Sequence, residues 1–525
     1  MKRIVIVGAG AAGYFTAAAI KRNNPNFDVV VVYDPNTPII GVGESINWTA
    51  PFFMHTVLGL TDDQWVKKAR SIFKIGTVYQ DWNNTTNPFI ATASFNADVD
   101  ILNTYTPGNI AECVANSFLQ QTYSTTDLWR HLVTKGLLPN DPDNSYLSYS
   151  SENYWLVDKN KLPIRKGQLW PTLKNTRSRY SYHINAPIVG QVVHDLVGVP
   201  AGVRTIPMKL RNVVLTSTGN IDYLLLDNEE QVTADLFIDC SGFAKVLAQH
   251  LPFEFDKLDE YFNDTAIVGP HSYQQPSERR SHAYIRAMDW GWHFSVSMDT
   301  RSGEGYVFNS RHGKNVDRLI EEYYTKTGKT DVNFRKISWQ PGYQKNLFVN
   351  NCITIGLSQG FGDAFDANAF SNTMEQITEM VKLLKADPEL VFEWKDHFNH
   401  FVKVRNDDIV FRIQSAFHLA PRNNTEYWQE LKIAESKFKT REKFLNAIND
   451  PNRRFLPNLK DSFYNQGALI TMASHYGIPN DFTIDVDAKV EKLAVVYFNE
   501  LRQYFQNLAD TGVTSEKLYT SWYAK

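Results

Sequence analysis

The stretch "KRIVIVGAGAAG" restricts this chain more than any other. It runs from a β-branched apolar strand through glycines at positions 8, 10 and 13 and into an alanine-rich helix. Each glycine meets a different demand of a nucleotide-binding β–α turn. Gly8 permits the tight turn, Gly10 lets a pyrophosphate approach the backbone, and Gly13 lets the helix pack on the strand. Asp34 follows Gly13 by 21 residues, where a carboxylate can bind ribose hydroxyls. A turn made only for packing is the competing reading. The strand–turn–helix order, with a spaced acid, favours a dinucleotide site.

Only one such fingerprint is present, and no second GxGxxG marks a nicotinamide domain. The later "LFIDCSGF" (236–243) and "CITIGLSQGF" (352–361) resemble the strand-then-glycine segments that close around FAD in flavin monooxygenases. This predicts FAD, with reducing equivalents supplied from elsewhere. Lys plus Arg (54) nearly balance Asp plus Glu (57) with no single-sign run, so neither a nucleic-acid surface nor a polybasic membrane anchor is expected. No apolar run approaches the roughly 18 residues of a membrane span. The apolar start goes straight into glycines and reads as a strand, not a signal peptide. Cys113, Cys240 and Cys352 are scattered, with no CxxC and no zinc spacing. No metal is expected, a cytoplasmic location is, and the sequon at Asn47 is then incidental.

The expected fold class is α/β: a Rossmann-like FAD-binding domain of the flavin monooxygenase type, with insertions, over residues 1–385, and a mainly helical region over 386–525. Strands are expected at "VTADLFIDCSG" and "LFVNNCITIG". "INAPIVGQVVHDLV" reads as a helix with Asn185 placed to cap and Pro187 in its first turn. Beyond about residue 370 the apolar spacing is helical, as in "NTMEQITEMVKLLKAD" and "VEKLAVVYFNELRQYFQNLAD".

"SIFKIGTVYQDW" (71–82) places a lysine within what reads as one strand. Alternation puts Lys74 on a face with Ile72, Gly76 and Val78, and Phe73, Ile75 and Tyr79 on the other. Both faces are apolar, so an ammonium there must reach water, find a partner or do chemistry.

With "PIIGVGES" (38–45), Lys74, Gly76 and the trailing Trp82, the chain resembles the flavin-dependent halogenases of the tryptophan halogenase family, as a divergent member. That family carries a GVGEAT-like strap and a Lys-x-Gly strand ending in tryptophan. "SYHINA", "LFIDCSGF" and "PRNNTEYW" (421–428) follow in the family's order. The resemblance implies that Gly8, Ala9, Gly10, Ala11, Ala12, Gly13, Glu44, Ser45 and Leu357 contact FAD. It further implies that FADH2, O2 and a halide yield hypohalous acid, which reaches an electron-rich aromatic substrate beside Lys74, with FADH2 delivered by a separate flavin reductase.

The sequence also departs from the family. The tryptophan-rich wall reads "WHFSVS", keeping Trp292 and putting Phe294 where a second tryptophan stands. The catalytic glutamate segment reads "DAFDANA", which makes Asp366 the carboxylate and leaves Asp363 as a rival. Halide is expected on the backbone amides of Asn368 and Ala369, at a helix start. Replacement of a Ser-Thr pair by Ala367-Asn368 suggests bromide or iodide over chloride. His183 and His293 read as ordinary hydrogen-bonded histidines. No clear amino-acid grip is seen in 453–479, so a phenol, an indole or a carrier-bound group is expected ahead of free tryptophan. A homo-oligomer is compatible with the sequence. Two other functions fit the same residues: a flavin monooxygenase that hydroxylates an aromatic or reduces a double bond, and a degenerate non-catalytic flavoprotein.

Overall fold

The computed structural model describes residues 3–38, 41, 43–83, 88–92, 125–139, 145–165, 168, 180–387, 392–449, 466–478 and 482–523. Cys113, the strap residues Ile39, Ile40 and Val42, and residues 453–465 and 479 lie outside them.

The flavin-type unit begins with β1 (Arg3–Val7), α1 (Ala11–Asn23) and β2 (Asp28–Val32). It continues with β3 (Glu44–Ser45), β4 (Ile72–Lys74), β5 (Gly76–Gln80), β6 (Phe89–Thr92), β7 (Ser181–Ile184), α2 (Ala186–Val193), β8 (Arg204–Ile206) and β9 (Leu236–Asp239). A block of long strands follows: β10 (Thr265–Ser272), β11 (His282–Met288), β12 (Gly291–Ser297), β13 (Arg301–Phe308) and β14 (Arg335–Ser338). The hairpin β15 (Phe348–Val349) and β16 (Cys352–Thr354) leads into α3 (Asn368–Ala386), α4 (Lys395–Leu419), α5 (Glu426–Phe438), α6 (Gln466–His475) and α7 (Ala488–Asp510).

Among the described residues, the nucleotide-type sheet is six-stranded in the order β15-β16-β9-β1-β2-β8. All its pairings are parallel except the β15–β16 edge hairpin. The central strands are buried on both faces, which is why "RIVIV", "DVVVV" and "LFID" read as near-continuous apolar runs. A second sheet, ordered β14-β10-β13-β12-β11-β5-β6, is antiparallel except where β5 runs parallel to β11. A small sheet, β3-β7-β4, lies between these two in the chain's path from strap to lysine. One hydrophobic core joins the α1 face of the first sheet to the C-terminal helices. None of the described helices is long and apolar enough to cross a membrane.

Three local expectations are corrected. Residues 71–82 are not one strand: β4 pairs with β7, the chain breaks at Ile75, and β5 joins the large sheet. Gly76 makes the transfer possible, since a Cβ there would lie 2.7 Å from the Ala91 carbonyl oxygen and 2.7 Å from a Val157 methyl. Asn185 occupies the N-cap of α2 but its side chain makes no cap bond, and the helix passes into a π turn at His194–Gly198. "LFVNNCITIG" is a hairpin, turned at Asn350 with φ 51°.

Candidate active site

The glycine turn divides into two kinds of position. Gly8 has φ 113°, and a Cβ on it would lie 2.5 Å from the Cys240 carbonyl oxygen. A Cβ on Gly13 would lie 1.9 Å from the Gly8 carbonyl oxygen. The fold itself requires both. Gly10 is different, because a Cβ there meets nothing within 4 Å, and its backbone is extended at the N-terminus of α1. The protein leaves space where the helix amides point outward, which is the arrangement a pyrophosphate needs.

The other expected FAD residues gather around this turn to different degrees. Leu357 lies in the turn Gly356–Ser358, and a Cβ on Gly356 would be 2.9 Å from the Ala12 Cβ, so that turn sits against the glycine loop. Buried Asp239 fixes the neighbouring segment by accepting hydrogen bonds from the Leu247 and Ala248 N–H groups and from Ser358. Glu44 and Ser45 form β3, and burial pushes the Glu44 carboxyl up to about 7. Asp34 lies two residues beyond β2, and its Oδ1 accepts from the Asn36 N–H at 2.9 Å.

A pocket is lined by Lys74 and Asp366 together with Asn47, Trp48, Tyr79, Phe89, Leu147, Arg412 and Thr471. Lys74 is 4% exposed. Burial draws its amine down to about 8, opposed by the nearby Asp366 charge. Lys74 Nζ donates to Asn47 Oδ1 at 3.3 Å. The Asp366 carboxylate is held at both oxygens: Tyr79 donates to Oδ1, and Arg412 Nε donates to Oδ2 at 2.8 Å. Asp366 and Ala367 are consecutive non-glycine residues in the left-handed region, with φ 58° and 57°. Such geometry costs about 1–3 kcal/mol per residue and persists only where neighbours impose it. Here Asn47 Nδ2 donates to the Asp366 carbonyl oxygen at 2.7 Å.

The rival Asp363 is not among the cavity-lining residues. It is buried, accepts from Asn263 at 2.8 Å and from the Phe365 N–H at 2.9 Å, and burial pushes its carboxyl up to about 7. Asn368 and Ala369 open α3 immediately after the strained pair, with Asn368 Nδ2 bonded to the Phe365 carbonyl. Trp292 and Phe294 do not line this cavity. The Trp292 ring packs edge-on against Phe365 at 5.7 Å, behind the loop that carries Asp366. Trp82 is fully buried and sits 5.2 Å from both Phe365 and Phe417.

Both histidines make the hydrogen bonds expected of buried rings. His183 Nδ1 lies 2.9 Å from the Ser297 carbonyl oxygen, and His293 Nε2 lies 2.7 Å from Glu304 Oε2. Burial holds both below the ordinary histidine range, with the Lys74 charge adding to the effect at His183.

Three participants escape sequence reasoning. Tyr79 was placed on the face opposite Lys74 by alternation, but the change of sheet at Ile75 breaks that parity and turns both residues into one cavity. Arg412 had a legible signal, a guanidinium on the apolar side of α4 between Ile409 and Ile413. Asn47 had none beyond its place just after the strap.

Residues 3–489 match the tryptophan halogenase family. The chain belongs to that family. Tryptophan 7-halogenase RebH of Lentzea aerocolonigenes is 25% identical over 448 residues, 82% of this chain and 80% of its own. A tryptophan halogenase from Shewanella frigidimarina shares the fold with a TM-score of 0.84 at 18% identity, over 100% of this chain and 98% of that one. BrvH, a flavin-dependent halogenase from Brevundimonas sp. BAL3, does so at 0.78 and 20% identity, over 99% of each chain. Family membership makes the chain an enzyme that works with reduced FAD, O2 and a halide, and the open backbone at Gly10 fits that cofactor.

Proposed function

We propose that this chain is an FAD-dependent halogenase that uses Lys74 to pass an oxidised halogen to an electron-rich aromatic substrate. The observation that carries the reading is the convergence of Lys74 and Asp366 on one buried cavity. The Gly8–Gly13 turn, with Glu44, Ser45 and Leu357 nearby, would hold FAD, which in its reduced form would supply, with O2, the oxidation of halide to hypohalous acid. The separation of the two regions keeps the aromatic substrate off the flavin and limits hydroxylation. Asp34 is assigned to the ribose side and Trp292 and Phe294 to support of the Asp366 loop, rather than to a wall of this cavity.

Near neutral pH the Lys74 ammonium predominates, since its amine is drawn down only to about 8. An ammonium N–H hydrogen-bonded to the hypohalous oxygen makes the halogen more electrophilic. The ring carbon attacks halogen, the O–X bond breaks, and the departing hydroxide takes a proton from the Lys74 ammonium and leaves as water. Asp366, fixed by Arg412 and Tyr79, accepts the ring proton. The Arg412 clamp answers the loss of one methylene relative to the family's glutamate. The backbone amides of Asn368 and Ala369, at the N-terminus of the 19-residue α3, are assigned to halide. With alanine at 367, bromide or iodide is preferred to the more strongly hydrated chloride.

The substrate is a small phenol or indole, and residues 386–525 complete its site by supplying Arg412 and Thr471. A separate flavin reductase provides FADH2, and the buried free Cys240 and Cys352 fit a cytoplasmic setting.

The test combines the protein with a flavin reductase, NADH, FAD and bromide, and scans phenols and indoles by mass spectrometry for the bromine isotope pair. Bromide-dependent halogenated product is the expected result. Hydroxylated product without bromine establishes a monooxygenase instead. FAD binding with no product establishes a non-catalytic flavoprotein.

A further inference from the structure

Among the described residues, Asn47 is the one side chain with a hydrogen bond to Lys74 on one end and to the Asp366 segment on the other, and its orientation is imposed. Its Nδ2 donates to the Asp366 carbonyl oxygen at 2.7 Å, and reaches Asn368 Oδ1 at 3.5 Å. Reversing the amide would set oxygen against oxygen, so Oδ1 must face Lys74 Nζ, 3.3 Å away. The backbone of Asn47 is pinned as well. Its N–H donates to Ser371 Oγ on α3 at 3.0 Å, and its carbonyl accepts from Ser181 Oγ on β7 at 2.6 Å. The residue thus ties the lysine strand, the strained carboxylate loop and the start of α3 to one another.

We propose that Asn47 is the positioning residue of the halogenation site, holding Lys74 Nζ in fixed register with the Asp366 loop through an uncharged amide. The inference rests on the reading of Lys74 as the residue that handles halogen. A neutral partner matters because the Asp366 charge already acts on the lysine without an ion pair between them, and Arg412 balances that carboxylate. The other titratable groups around it are Tyr79 on β5, bonded to Asp366, and His183 on β7, whose ring is uncharged near neutral pH. His282 on β11 is likewise drawn down, to about 3, by burial. An anionic residue at 47 would bring a carboxylate into contact with the amine and hold it as ammonium over a wider pH range. An apolar one would free the side chain to swing from the loop.

Two variants and one chemical probe test this without needing turnover. Cyanate carbamylates only the unprotonated amine, so its rate at Lys74, read by peptide mass spectrometry against pH, gives that group's midpoint. The wild-type midpoint is expected at about 8. Asn47→Asp should raise it by about one unit or more, the shift a contacting opposite charge produces, and should move the upper limb of the halogenation pH profile by the same amount. Asn47→Leu should leave the midpoint at or below the wild-type value. It should also lower halogenation kcat by about tenfold or more, in the range that misplacement of a catalytic group causes, with KM for substrate changed much less. An unmoved midpoint in Asn47→Asp, or full kcat in folded Asn47→Leu, overturns the proposal. If wild-type protein carbamylates as expected but never halogenates, the reading of Lys74 fails, while the midpoint shift still decides whether Asn47 holds it.

Discussion

The two ends of the reaction path are built from different material. The flavin end is made of backbone: open amides at the start of α1, bracketed by two glycines whose Cβ positions are filled by Cys240 and Gly8 carbonyls. The lysine end is made of side chains from five separated segments, Asn47, Lys74 with Tyr79, Asp366, Arg412 and Thr471. A backbone site takes its properties from sterics. A side-chain site takes its properties from burial and from its neighbours, so it tolerates a change such as glutamate to aspartate if another residue compensates. The difference teaches that the backbone end constrains which cofactor fits, while the side-chain end sets what chemistry can follow.

The sharpest way to part the two ends is Lys74→Met, which keeps length and removes the amine. Halogenated product should fall by about 10²–10⁴, the usual worth of a positioned acid–base group. FAD binding and oxygen uptake should persist. Near-normal halogenation would return Lys74 to a packing role and remove the distinction altogether.

Arg412→Leu attacks the compensation. It leaves Asp366 buried without its guanidinium, and breaking a buried pair in this way costs about 3–5 kcal/mol of stability. Chemical denaturation should show that loss, and product formation should fall with flavin binding retained in the folded fraction. Unchanged stability would mean that the carboxylate finds another partner, and that the Arg412 clamp is not what fits aspartate to the site.

The flavin end is broken by Gly10→Val. Its backbone is extended and its Cβ would enter open space, so the variant should fold and melt like wild type. FAD affinity should drop by about 100-fold, roughly 2.8 kcal/mol, because the branched side chain occupies the pyrophosphate's approach. Gly13→Ala is the contrasting control, since its Cβ would overlap the Gly8 carbonyl and should destabilise the turn itself. Equal melting temperatures for both variants would refute the division of the glycines into structural and ligand-facing positions.

The smallest expected effect is in pH. Between pH 7 and 9 the halogenation rate at saturating FAD should fall about tenfold as the Lys74 ammonium is lost through a midpoint of about 8. A rate that rises over this window would assign the chemistry to the free amine and a haloamine. The same group affects stability with a definite sign. Its folded pKa lies below its unfolded value of 10.5, so the protonated lysine weakens the fold below pH 8 and this penalty is relieved between about 8 and 10.5.

Local sterics made the flavin end legible in sequence. Three glycines after a buried strand have few alternative explanations: a Cβ on Gly8 or Gly13 would strike backbone, and one on Gly10 would enter open space. The helical C-terminal region was readable too, because apolar residues at 3.6-residue spacing specify a buried helix face whatever lies opposite. Lys74 was singled out as a charge among apolar neighbours, and Asp366 by family position. The tertiary structure alone decided the rest. Parity along 71–82 failed because the chain leaves one sheet for another at Ile75, a change set by Ala91 and Val157 pressing on Gly76. Asn47, Tyr79 and Arg412 became partners of the lysine and carboxylate only when segments distant in sequence, 319 residues apart for Asn47 and Asp366 and 287 for Tyr79 and Asp366, were brought together. The amine's downward shift belongs to the same class of fact. It arises from the exclusion of water by side chains that are distant in sequence, and no local pattern encodes that exclusion.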